Sequence, residues 1–191
     1  MIVKKLSAVA TVIGALVVSA GLATPAHATS GAPTLPATES FFALNCEDGS
    51  FPAVWSVLES GAATPIGNDT SVSCTAGGAY DPVAKVFYFI ERHFGFYLDT
   101  FNPATGVVTR GPMMGGEMYE PHQLVITNAG QAYAVGLGNG SFFDHLNLTT
   151  GYMARINTTN TNLATVAYNP VNDTIYGFNG GENHGNVYTV D

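Results

Sequence analysis

From Phe41 onward, short apolar runs alternate with clusters of Gly, Asn, Asp and Pro. Almost no stretch carries apolar residues at the 3.6-residue spacing of an amphipathic helix. The runs are rich in aromatic and β-branched residues, as in Val86, Phe87, Tyr88, Phe89 and Ile90, and such residues fit a pleated, half-buried surface. Turn-forming clusters between β-rich runs predict an all-β chain. Thr29 to Ser40 is different: Ala, Thr and Pro dominate without any period, and the segment reads as a flexible lead-in.

The runs repeat. Ala79-Tyr80-Asp81-Pro82-Val83 is echoed 88 residues later by Ala167-Tyr168-Asn169-Pro170-Val171. In both copies a second strand is centred nine residues after the alanine, at Tyr88 and Tyr176, and Tyr133 falls midway between them. Gly61, Gly106 and Gly151 close turns 45 residues apart. A period near 45 with several strands per unit is the spacing of β-propeller blades. One unit reads in full: strand A entering Asp81-Pro82, strand B at Val86–Ile90, a loop from Glu91 to Gly95, strand C at Phe96–Phe101, and strand D at Val107–Arg110. An earlier unit spans Phe41–Asn45, Ala53–Leu58 and Ala62–Ile66, a later one runs from about His122 to Asn157, and the last begins near Leu163.

Tyr-Asp-Pro before strand B and Asn-Pro-Ala-Thr-Gly before strand D resemble the repeats of secreted bacterial β-propeller proteins, the lactonase-like and YVTN-type families among them. The resemblance covers most of residues 41–191. It implies four-stranded antiparallel blades, and it leaves function open, because propellers serve binding, scaffolding and catalysis alike. The first unit lacks a strand A and the last lacks a strand D, so about three and a half blades are expected. They would form either a four-bladed ring completed by the N-terminal segment or part of a larger ring.

The first 28 residues change the picture of the compartment. Lys4 and Lys5 precede an uncharged stretch from Leu6 to Leu22, then Pro25 and the small residues of Ala26-His27-Ala28. This is the three-part pattern of a secretory signal peptide, so the expected organisation is 1–28 leader, 29–40 lead-in and 41–191 repeat domain. Export would make the protein secreted or envelope-associated, with no membrane span in the mature chain. It would also allow Cys46 and Cys74 to form a disulfide, closing a loop worth about 3 kcal/mol; the alternative is two buried thiols. The chain has 6 Lys+Arg against 14 Asp+Glu, and two of the six basic residues lie in the leader. Four basic residues are too few to track a phosphate backbone, which excludes nucleic acid as a partner.

Antiparallel strands reverse at every connection, so the B–C and D–A loops share one face. That face gathers Glu91, Arg92, His93, Glu117, Glu120, His122, Glu182 and His184, together with both cysteines. His93 and His184 are repeat-equivalent, each four residues before a strand C tyrosine. With His122 and the carboxylates of Glu117, Glu120 and Glu182 they form a candidate ligand or metal face, suited to Zn²⁺ or another divalent ion. The competing reading is a set of solvated polar loops. No nucleophile elbow, P-loop or His-Glu-x-x-His motif is present. The expectation is a non-catalytic binding module for an extracellular protein, glycan or small molecule, with no catalytic residue or cofactor assigned. The alternative is a metal-dependent lactonase-like hydrolase or lyase, in which a metal-bound water attacks.

Overall fold

The computed structural model describes residues 3–6, 40–44, 54–58, 60–66, 74–92, 95–117, 120–138, 140–159, 163–179 and 185–190. Among them there are strands and turns and no helix. In chain order the strands are β1 (Val3–Leu6), β2 (Ser40–Leu44), β3 (Val54–Leu58), β4 (Ala63–Ile66), β5 (Thr75–Asp81), β6 (Val86–Arg92), β7 (Phe96–Asn102) and β8 (Val107–Thr109). There follow β9 (Gly115–Gly116), β10 (Pro121–Ile126), β11 (Ala132–Gly138), β12 (Gly140–Leu146), β13 (Tyr152–Thr159), β14 (Leu163–Asn169), β15 (Thr174–Asn179) and β16 (Val187–Val190). No helix among the described residues is long and apolar enough to cross a membrane.

The strands form four sheets, ordered β2-β3-β4, β5-β6-β7-β8, β10-β11-β12-β13-β9 and β14-β15-β16-β1. Neighbours are antiparallel except β9, which runs parallel to β13. Local chemistry sets the turns. Asp81 Oδ1 accepts the amides of Val83 and Ala84, and Asn169 Oδ1 accepts that of Val171. Asn102 and Asn147 do the same before Gly106 and Gly151, and both glycines have a φ of 72°. These side chains mimic a backbone turn and need no tertiary help.

The sheets stack face to face. Val54 meets Phe89 and Phe101 between the first and second sheets. Ile90 and Leu98 meet Leu124, Ala134 and Leu146 between the second and third, with Met114 over the seam. Val125, Val135 and Phe143 meet Leu163, Val166 and Ile175 between the third and fourth. Full burial of each large side chain contributes about 1.5–3 kcal/mol. β10 packs against both β5 and β14, so the leading strands of three sheets lie side by side at the inner edge of the stack.

One expectation is corrected. Glu91 and Arg92 continue β6 rather than opening a loop; Glu91 pairs with Thr75 and Tyr97 across the sheet and is fully buried. On its other side from β15, β16 is paired by β1, with Val3 opposite Val190 and Leu6 opposite Val187. β1 thus belongs to the segment read as the leader, and a cut after Ala28 would carry it away from β16.

Candidate functional site

A β-bulge places one extra residue on one strand and re-aims its side chain. Each inner strand carries one near its start. The register shifts between Ala76 and Gly78 in β5, between Pro121 and Gln123 in β10, and between Leu163 and Thr165 in β14. The extra residues are Gly77, His122 and Ala164; His122 and Ala164 occupy corresponding positions in their sheets, and Gly77 lies one residue nearer its turn. Gly77 has a φ of 33°, and a Cβ there would lie 2.4 Å from the His122 carbonyl oxygen. Only glycine lets β5 and β10 approach this closely, so Gly77 seats His122 against the second sheet.

The His122 side chain is 24% exposed, yet its Nε2 is buried and makes no hydrogen bond among the described residues. Glu120 Oε2 lies 3.7 Å away, an electrostatic distance rather than a hydrogen-bonding one. Burial, and after it the Arg92 guanidinium, hold the imidazole below its ordinary pKa; the Glu120 carboxylate offsets part of this. Arg92 stands at the end of β6 with its guanidinium 5.7 Å from the Phe96 ring centroid. The corner therefore offers a neutral imidazole with an open nitrogen, a half-exposed carboxylate and a cation beside an aromatic ring. That set can donate to and accept from hydroxyl or carbonyl oxygens.

Of the six predicted site residues, the structure brings His122 and Glu120 together. Glu117 is elsewhere: its amide donates to Met153 O and its carbonyl accepts from Arg155 Nη2 at the β13 edge. His93, Glu182 and His184 lie outside the described residues, as does Cys46. Among the described residues no three His, Cys, Asp or Glu side chains group as a metal site. Cys74 is not a free thiol, and its carbonyl accepts the Arg92 amide.

Sequence reasoning missed a second polar system. Asp99 and Asp144 are fully buried, as is Glu91. Arg110 lies 4.0 Å over the Tyr97 ring and pairs with Glu91 at 2.9 Å. Arg155 lies 4.0 Å over the Phe142 ring and pairs with Asp144 at 2.7 Å. All three members of this Asp, Arg and aromatic set recur at the 45-residue period, a signal present in the sequence. The partner switches because β6 offers Glu91 where β11 has Gly136; Asp99 Oδ1 then accepts the Gly111 amide instead.

Stacked antiparallel sheets with repeat-equivalent inner strands define the fold as a β-propeller. No protein-family model matches the chain, and no curated protein does either. A gluconolactonase from Xanthomonas campestris superposes with a TM-score of 0.51 at 11% identity, over 71% of this chain and 43% of its own. An oligogalacturonate lyase in complex with manganese gives 0.54 at 13%, over 80% and 44%. An auxiliary nutrient binding protein from Bacteroides thetaiotaomicron gives 0.52 at 16%, over 78% and 44%. The chain spans less than half the length of each, and at such identities the likeness is one of fold.

Proposed function

We propose that the chain is an exported propeller domain that binds a glycan or small polyhydroxylated molecule, without turnover, at the His122, Glu120 and Arg92 corner. The observation that carries this reading is the buried His122 Nε2 without a hydrogen-bond partner among the described residues, on the one inner-strand bulge that bears a long polar side chain. A buried polar atom in this state favours a ligand that supplies its partner. The formal net charge of −8 favours a neutral ligand over an anionic one. The nutrient binding protein among the neighbours makes such a role compatible with the fold.

A second reading follows from the same nitrogen. A neutral imidazole next to a carboxylate also suits a divalent ion, and hydrolase or lyase chemistry would then use a metal-bound water. A glycan array probed with the full chain, then with His122→Ala and Arg92→Ala, tests the first reading. Retention of at least one glycan, weakened about tenfold or more by either substitution, is expected. Binding that survives both substitutions would overturn it. A melting temperature lowered by EDTA in the wild type and unaffected by EDTA in His122→Ala would move the assignment to the metal reading.

A further inference from the structure

We propose that a cavity between the first and second sheets is a binding site for a small uncharged aromatic ring, at a place separate from the His122 corner. The cavity measures about 180 Å³ and is lined chiefly by Phe42, Leu44, Gly78, Tyr80, Phe87 and Phe101. Two features of the sequence shape it. The first sheet's described strands correspond to strands B, C and D of the later repeats, because β4 follows the turn at Gly61. β2 therefore stands next to the inner strand of the second sheet, β5, with no described counterpart of β5 beside it. On β5 the wall facing Leu44 is Gly78, opposite Phe89, where the third and fourth sheets have Leu124 opposite Ala134 and Val166 opposite Gly177. A Cβ at Gly78 would stand 2.9 Å from Leu44 Cδ1, so the bare glycine is what leaves room beside that side chain.

The lining decides the ligand class. No charged side chain lines the cavity, and an ion placed there would lose its hydration without compensation. Phe42 stands edge to face with two rings, 5.3 Å from Phe87 at 61° and 5.2 Å from Phe101 at 62°, and Tyr80 is tilted at 50° to Phe87 at 4.8 Å. These are the separations aromatic pairs prefer, and another ring can join in the same geometry. An apolar cavity of about 150 Å³ is known to hold benzene, so this one accepts a single ring with one small substituent. Leu44, 38% exposed, stands at the rim and provides the way in.

Phenol is the probe, with cyclohexanol as a non-aromatic match in size, and both are added to the full chain. Phenol at about ten times its dissociation constant should raise the melting temperature by about 3 °C and show saturation transfer to its ring protons. Cyclohexanol should do neither to a comparable degree. Leu44→Trp, which fills the cavity from its exposed rim, should abolish the phenol response. Phe42→Leu, which keeps an apolar residue of similar bulk, should weaken binding several-fold, and it decides the matter if the tryptophan variant does not fold. Absence of a phenol response in the wild type, an equal response in both variants, or an equal response to cyclohexanol would each overturn the proposal.

Discussion

Lys85 and Asp173 hold the left-handed backbone conformation, with φ of 58° and 52°. Both sit in the turn between the first two strands of their sheets, where the third sheet has Gly130 at φ 75°. A side chain in this conformation costs about 1–2 kcal/mol relative to glycine, offset in part by the freedom glycine adds to the unfolded chain. Asp173 is tied down by the Tyr168 hydroxyl, which donates to its carboxylate; Lys85 is exposed and has no such tie among the described residues. Lys85→Gly should therefore raise stability by about 0.5–1 kcal/mol in denaturant unfolding, and Asp173→Gly should yield less. The left-handed residue is thus set by the turn, and the side chain there is a separate choice made repeat by repeat.

Strand pairs carry the buried charge. Arg155 crosses from β13 to Asp144 on β12, covers Phe142 on the same strand, and ties down the Glu117 carbonyl beside β9. Burial raises the Asp144 carboxyl above its ordinary pKa, while Arg155 pulls it back. The folded state then binds the proton more tightly than the unfolded state. This contribution to stability is full below the unfolded pKa and is lost as pH rises through the folded one. Arg155→Met should cost about 3 kcal/mol at neutral pH, because the carboxylate is left buried and unpaired. Most of that loss should disappear in the Arg155→Met, Asp144→Asn double variant, and thermal melts of all four proteins from pH 4 to 8 close the cycle. Asp144→Asn alone should lack the decline with rising pH that Asp144 causes in the wild type.

At the scale of the molecule, the described residues form three apolar seams between sheets. The expected bridge from Cys46 would join the connection between β2 and β3 to the start of β5, across the first of these seams and next to Arg92. Reduction should lower the melting temperature, by an amount corresponding to about 3 kcal/mol in the chain-entropy model. A Cys46→Ala, Cys74→Ala variant should melt at the reduced temperature whether or not reductant is present. A melt indifferent to reductant would leave the first sheet held by the apolar seam of Val54, Phe89 and Phe101 alone.

The strands and their order were legible because their determinants are local. Asp81, Asn102, Asn147 and Asn169 close turns with their own side chains, Gly106 and Gly151 supply positive φ, and aromatic or β-branched runs between such turns have only extended structure open to them. The start of the last sheet at Leu163 and the strand following Gly61 were accordingly placed to within a residue. His122 and Glu120 stand two residues apart at the start of β10, so their proximity is itself local. The burial of Glu91 was not legible: a charged residue at the end of an apolar run reads as the start of a loop, and only the approach of Arg110 from β8's end makes its burial tolerable.

The sequence by itself determined the period and the turns, because each depends on a few consecutive residues, and it named the ionisable groups available to a site. Tertiary structure alone decided which of those groups meet. The apposition of Gly77 and His122, the exchange of carboxylate partners between Arg110 and Arg155, and the cavity beside Gly78 each join strands far apart in the chain. Their distances follow from how the sheets stack, and no local pattern records them.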